Sequence, residues 1–283
     1  MPAIIHTLGD LEGIREAWRS AGESVALVPT MGSLHEGHKA LVAEAGTLAD
    51  RVVVSIFVNP LQFGAGEDFE KYPRSLAEDE AFLADTTVDI IFAPDVDVVY
   101  PEGPEVAPTL DAGAVGELYE GASRPGHFAG VLTVVKRLFD CVNPDVAVFG
   151  RKDAQQLFLI ESMSNTMKLG IRIVEVDTVR DPDGLALSSR NAYLSPTERD
   201  QARAIPEALE TASHADNPQE AVRVVRQALE SAPGIVVDYV DAVNPDTFLP
   251  VFDSEMVQHA HLIVAANAGS VRLIDNRLLH FGQ

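Results

Sequence analysis

Short apolar runs separated by helix-like stretches recur through the first two thirds of the chain. Val25-Ala-Leu-Val-Pro29, Arg51-Val-Val-Val-Ser-Ile-Phe-Val58, Val88-Asp-Ile-Ile-Phe92, Asp145-Val-Ala-Val-Phe149 and Ile171-Arg-Ile-Val-Glu-Val176 read as strands. Helical patterns lie between them, notably Leu76 to Ala84, Val131 to Cys141 and Ala154 to Lys168. This alternation predicts an α/β fold, a doubly wound, Rossmann-like parallel sheet with helices on both faces. Ligands of such sheets bind outside the carboxyl ends of the strands.

The pattern changes at the turn-rich stretch Val179-Arg-Asp-Pro-Asp-Gly184. A domain boundary is expected there, giving a first domain over 1–178 and a smaller α+β domain over 179–283. Within the second, Ser195-Pro-Thr-Glu198 opens a helix expected to reach about Ala212, and Asn217-Pro-Gln-Glu220 opens another running to Ser231. Two strand-like runs follow, Ile235 to Val243 and His261 to Asn267.

Composition narrows the function classes. The chain of 283 residues is long enough for a real core, and its net charge of −22 argues against a general nucleic-acid or membrane surface. Any anionic substrate must meet a local basic pocket against that background. One cysteine, Cys141, excludes an internal disulfide framework and fits a reducing compartment. Met1-Pro-Ala-Ile-Ile-His6 lacks the basic start and long apolar stretch of a signal peptide, and no run approaches membrane-spanning length. The expected location is the cytoplasm.

The candidate chemistry falls where the strands end. After the first, Thr30-Met-Gly-Ser-Leu-His35-Glu-Gly-His38 runs into Lys39-Ala-Leu-Val-Ala-Glu-Ala, a good helix former. Both histidines then lie at a helix N-terminus, one turn apart on the same face, where free N–H groups and the dipole attract anions. Imidazoles there can donate to phosphate oxygens that gain charge in a reaction. Gly37 allows close approach of a large ligand. A zinc site is disfavoured because His-x-x-His supplies only two ligands, whereas a helix cap with two solvated histidines stays open on the tetrapeptide alone. After the second strand, Asn59 and Gln62 offer amides that can hold a carboxylate without quenching its charge, or can simply stabilise a turn. Arg124-Pro-Gly-His-Phe-Ala-Gly130 reads as a rigid loop feeding a helix. Phe149-Gly-Arg-Lys-Asp-Ala-Gln-Gln156 ends a strand with two cations, and Lys152 is placed to neutralise phosphate oxygens. Leu187-Ser-Ser-Arg-Asn191 offers two hydroxyls and a guanidinium in a loop that could equally be a solvated hinge.

Taken in order, Pro-Thr-Met-Gly…His-x-Gly-His, Phe-Val-Asn-Pro-x-Gln-Phe, Arg-Pro-Gly-His-Phe, Lys-Asp-x-Gln-Gln and Ser-Ser-Arg-Asn closely resemble the pantothenate synthetase (pantoate–β-alanine ligase) family, within the nucleotidylyltransferase group. The resemblance spans the whole chain. It implies an ATP- and pantoate-binding first domain, a C-terminal lid domain and a homodimer. The ATP site it implies comprises Met31, Gly32, Ser33, Leu34, His35, Glu36, Gly37 and His38, with Gly150, Arg151, Lys152, Asp153, Val179, Leu187, Ser188, Ser189 and Arg190. His35, His38, Lys152 and Arg190 take the catalytic part, on the phosphates. Gln62 and Gln156 would hold pantoate or β-alanine. Three positions depart from the commoner family pattern: Arg151 replaces a usual Glu, Ala154 is often Tyr, and Leu187 is often Met. None supplies a phosphate-contacting side chain in the family, and Arg151 adds positive charge near the site.

The implied reaction has two steps. Pantoate attacks the α-phosphate of ATP, giving pantoyl adenylate and pyrophosphate, and β-alanine then displaces AMP to give pantothenate. Mg²⁺ would bridge phosphate oxygens with few or no protein ligands. Two other readings remain, a nucleotidylyltransferase that stops at nucleotide transfer and a regulatory nucleotide-binding module without chemistry. The two glutamines and the Arg-Pro-Gly-His-Phe loop match the ligase.

Overall fold

The computed structural model describes residues 1–64, 69, 72, 74–252 and 257–282. The chain divides into two compact units, one of residues 1–151 and 155–177, the other of 152–154 and 178–283.

The first unit begins with strand β1 (Ala3–Ile5) and helix α1 (Leu8–Ala21), continuing with β2 (Val25–Thr30), α2 (Glu36–Leu48), β3 (Arg51–Ile56) and α3 (Leu76–Leu83). After β4 (Ile90–Phe92) come the short α4 (Val96–Val99) and α5 (Glu120–Ser123), then α6 (His127–Val142), β5 (Val146–Gly150), α7 (Ala154–Thr166) and β6 (Arg172–Val176). The six strands form one parallel sheet in the order β1-β4-β3-β2-β5-β6. Alternation along the strands builds two cores. Leu27 and Val53 face one side, with Val131, Leu132, Val135 and Leu138 of α6. Ala26, Val28, Val52 and Val54 face the other, with Val42 and Ala45 of α2. Neighbouring residues thus enter opposite faces, as a doubly wound sheet requires. The chain leaves β2 for β3 on one side, while β5 pairs with the other side of β2. This reversal makes the carboxyl end of β2 the switch point, where open α/β sheets bind ligands.

Several boundaries depart from the sequence reading. The second predicted strand stops at Ile56, short of Val58, and the predicted Val131–Cys141 helix starts earlier, at His127. No element is expected before Val25, yet Thr7 caps α1 by accepting from the Asp10 N–H, and left-handed Gly22 ends it.

The second unit packs α8 (Pro196–Ala202), α9 (Ala204–Ala212) and α10 (Pro218–Ser231) with an antiparallel sheet ordered β7 (Ile235–Val243), β8 (His259–Ala268), β9 (Val271–His280). Ile205, Leu209, Val225 and Leu229 share a core with Leu262, Val264 and Ala266. The helix expected from Ser195 to Ala212 is two helices. Pro206 has no N–H to give the Ala202 carbonyl, so the helical ladder breaks there. The predicted caps form: Ser195 and Glu198 make a reciprocal capping box, and Asn217 accepts from the Glu220 N–H. Strand β9 lies outside the sequence-predicted elements.

Candidate active site

The loop after β2 is held from three directions. The Thr30 hydroxyl donates to the Ser55 carbonyl at 2.7 Å and accepts the Gly32 N–H at 3.2 Å. Gly32 and Ser33 then take positive φ, +83° and +53°, turning the chain sharply. Buried Asp79, in the first turn of α3, accepts the Ser33 N–H at 3.1 Å and the Leu34 N–H at 2.8 Å. Burial pushes the Asp79 pKa up, opposed by those two N–H bonds. A Cβ on Gly32 would stand 2.8 Å from an Asp79 carboxylate oxygen, so this loop takes glycine for space as well as for φ.

From this loop the chain enters α2 with His35 as N-cap and Glu36, Gly37 and His38 as its first three residues. His35 Nδ1 accepts the Gly37 N–H at 3.2 Å, and His38 Nδ1 accepts the His35 N–H at 3.1 Å. The rings lie 4.1 Å apart, tilted by 44°. A backbone N–H only donates, so each neutral ring carries its proton on Nε2. Cap and donor are therefore compatible. One nitrogen closes the helix end while the other keeps a proton to give.

The turn after β3 carries the amides. Asn59 caps the 3-10 turn Pro60–Gln62, accepting the Leu61 N–H at 3.2 Å, and its Nδ2 donates to the Gly130 carbonyl at 3.1 Å and to Gln62 Oε1 at 3.2 Å. Gln62 Nε2 points at the Met31 sulfur, 2.8 Å away. A Cβ on Gly130 would fall 2.2 Å from the Leu61 carbonyl oxygen, so glycine admits α6 to this turn. The Arg124–Phe128 loop positions the same turn. His127 Nδ1 donates to the Gln62 carbonyl at 2.8 Å, and Arg124 reaches that carbonyl at 3.4 Å and His127 Nε2 at 3.0 Å. On α7 the adjacent glutamines differ. Gln155 is spent on the backbone of Val115, Leu118 and Glu120, while Gln156 is half-buried.

Strand β5 ends at Gly150, and Arg151–Asp153 form a 3-10 turn. The Arg151 guanidinium bonds both Glu175 and Asp177, the Glu175 bond chiefly holding its pKa up. The positive charge expected at Arg151 is therefore countered by two carboxylates.

In the second unit, Lys152 lies 3.5 Å from Asp153, and its carbonyl accepts from Asn276 Nδ2 at 2.8 Å. Val179 and Leu187 close a small antiparallel loop: the Leu187 N–H donates to Val179 at 2.9 Å, and Arg180 pairs with Ala186. Arg180 also grips buried Asp275 bidentately, at 2.6 and 2.9 Å. Ser188 caps a 3-10 turn over Ser189–Tyr193 by accepting the Arg190 N–H at 3.3 Å, and buried Asn191 ties that turn to the Ala186 carbonyl. The candidate residues thus fall in two groups: Met31–His38, Gln62, Gly150, Arg151 and Gln156 in the first unit, Lys152, Asp153, Val179 and Leu187–Arg190 in the second.

The model of the pantoate–β-alanine ligase family matches residues 3–278. The chain belongs to that family. A pantothenate synthetase of Acidothermus cellulolyticus is 48% identical over 97% of this chain and 91% of its own length. One from Leifsonia xyli is 51% identical over 89% and 88%. The crystal structure of the Thermus thermophilus pantothenate synthetase superposes with a TM-score of 0.89 at 44% identity, covering 97% of this chain and 98% of that one. A pantoate–β-alanine ligase from Francisella tularensis, described as complexed with β,γ-ATP and β-alanine, gives 0.78 at 33% identity, covering 98% of both. Membership makes the chain a pantoate–β-alanine ligase by activity and places it in pantothenate biosynthesis.

Sequence reasoning missed Asp79, Asp275 and Asn276. Asp79 reads as an ordinary acidic first-turn residue, and Asp275-Asn276 interrupts an otherwise strand-like run. Asp79 and Asn276 bond backbone far away in sequence, and Asp275 bonds the distant Arg180 guanidinium, relationships no local pattern encodes.

Proposed function

We propose that the chain joins pantoate to β-alanine through a pantoyl-adenylate intermediate, using ATP and releasing pyrophosphate and AMP. The observation that carries this reading is the entry to α2, where His35 and His38 cap a helix N-terminus through Nδ1 and keep Nε2–H to donate. A carboxylate attacking a polyphosphate is a weak nucleophile meeting like charge, so catalysis lies in positioning and neutralisation. The ATP bound by the Francisella relative supports ATP as substrate here.

In this reading the loop Met31–Leu34, with Glu36 and Gly37, accommodates the nucleotide, and His35 and His38 donate to its phosphates. Lys152, Ser188, Ser189 and Arg190 add charge and hydrogen bonds to the triphosphate, with Gly150, Arg151, Asp153, Val179 and Leu187 contributing mainly backbone. Gln62 and Gln156 hold pantoate. A pantoate carboxylate oxygen attacks the α-phosphorus, and the bond to the bridging oxygen breaks as pyrophosphate leaves. The β-alanine amine then attacks the acyl carbon, AMP departs and the nitrogen loses its proton. Among the described residues no cluster of three His, Cys, Asp or Glu could hold a metal ion. Mg²⁺ entering with ATP would supply charge shielding to the phosphates. A cytoplasmic homodimer is part of the same reading. No helix among the described residues is long and apolar enough to cross a membrane.

Exchange of labelled pyrophosphate into ATP tests the order. Robust exchange with pantoate and no β-alanine is expected. Exchange only after adding β-alanine would count against the adenylate route, and ATP turnover independent of pantoate would favour simple nucleotide transfer.

A further inference from the structure

Beneath the Gln62 turn lies a fully buried polar chain that begins at Tyr100, directly after α4. The Tyr100 hydroxyl is 2.8 Å from Asn59 Oδ1, with Tyr100 1% and Asn59 0% exposed. Neither amide orientation is a matter of choice. Asn59 Oδ1 also receives the Leu61 N–H, which can only donate, while Asn59 Nδ2 faces the Gly130 carbonyl, which can only accept. Tyr100 must therefore donate. Asn59 Nδ2 in turn donates to Gln62 Oε1, which turns the Gln62 carbonyl inward and its NH₂ toward Met31. A thioether is a weak acceptor that a carboxylate or hydroxyl oxygen readily replaces.

We infer that Tyr100 is a positioning residue for acid recognition: through Asn59 it holds Gln62 with its NH₂ presented, making this position a hydrogen-bond donor to an oxyanion. The inference rests on the reading that Gln62 holds pantoate. Burial raises the Tyr100 pKa well beyond its ordinary value, so the proton stays on the hydroxyl throughout the working range. Flipping Gln62 would set two carbonyl oxygens, its own and that of the acid, against each other. Rigidly satisfied buried networks suit such a task because each member has one arrangement that leaves nothing unpaired.

The test is a cycle of Tyr100→Phe and Gln62→Ala, read as KM for pantoate and KM for ATP in pyrophosphate exchange. Tyr100→Phe should raise KM for pantoate about three- to tenfold, the range of one hydrogen bond. The KM for ATP should not move, which also reports an intact fold. In the Gln62→Ala background, Tyr100→Phe should change KM for pantoate less than about twofold, since nothing remains for it to orient. Asn59→Asp is a second route to the same point. It keeps both acceptor contacts but puts an oxygen against Gln62 Oε1 and against the Gly130 carbonyl, and it should raise KM for pantoate at least as much. An effect of Tyr100→Phe that persists in full without Gln62 would overturn the inference. So would an unchanged KM in Tyr100→Phe when Gln62→Ala alone raises it. If Gln62→Ala itself leaves KM for pantoate unchanged, the role of Gln62 fails and this inference falls with it.

Discussion

The backbone N–H of His35 is bonded to Nδ1 of His38 at 3.1 Å, closing the N-terminus of α2 with the side chain proposed to act on the phosphates. Loss of that ring removes a cap and a donor together. His38→Ala should cost about 1 kcal/mol of stability, as caps do, and lower turnover on the order of a hundred- to a thousandfold. His38→Gln separates the two effects, because glutamine at the third helical position can still accept the N-cap N–H. Thermal melts should recover in His38→Gln while turnover stays well below wild type. Full recovery of turnover would reduce His38 to a helix cap.

Lys152 and Arg190 are assigned to phosphates that leave before the amine attacks. Lys152→Ala and Arg190→Ala should each slow adenylate formation by roughly ten- to a thousandfold, in the range of lost transition-state charge contacts. Both should release pantothenate from purified pantoyl adenylate and β-alanine at near wild-type rate. Equal collapse of both half-reactions would place the two cations in acyl transfer or in general structure.

The N-terminus of α2 is legible in the sequence because three local signals agree there. An apolar run ends at Pro29, glycine follows at position 32, and helix formers start at Lys39. The four central strands, β2 to β5, are legible for a similar reason, since burial on both faces demands unbroken apolar runs, whereas the edge strand β6 shows through the apolar residues Ile171, Ile173, Val174 and Val176. Strand β9 hides because Asp275 and Asn276 sit at its middle. Their polarity is absorbed by Arg180 and by the Lys152 carbonyl, partners that no alternation pattern reveals. Arg151 shows the same limit. As sequence it adds a cation to the site, but Glu175 and Asp177 already claim it. Composition reports charge, and only folding reports which charges are answered.

Cys141, near the end of α6, gives a prediction about pH. Burial, the largest influence, raises its pKa from 9.0 to about 11. Only the thiolate alkylates, so iodoacetamide should label the native chain roughly a hundredfold more slowly than a small free thiol at pH 8. The unfolded chain loses this proton first as pH rises. Stability should therefore decline between about 9 and about 11, and Cys141→Ser should flatten that decline. Labelling at the rate of a free thiol would show that burial does not protect the sulfur.

Asp79 holds the loop before His35 by two backbone N–H groups, at a cost that depends on pH. Its folded pKa lies above the ordinary 3.8 because burial outweighs the help of the Leu34 and Ser33 N–H groups. The unfolded chain therefore gives up the proton first, and the folded state loses relative stability as pH climbs from about 3.8 to the raised value. Asp79→Asn abolishes this titration and turns an NH₂ against one of the two N–H groups, leaving that donor buried without its acceptor. The variant should lose that segment of the pH–stability curve. Its apparent ATP affinity should weaken several-fold, about what one unmade buried hydrogen bond is worth, because the Gly32–Leu34 turn that leads into the two histidines is no longer held. Urea melts from pH 3 to 7 beside ATP titrations measure both. Unchanged ATP affinity alongside the altered pH curve would confine Asp79 to folding and leave the loop before His35 without a part in ATP binding.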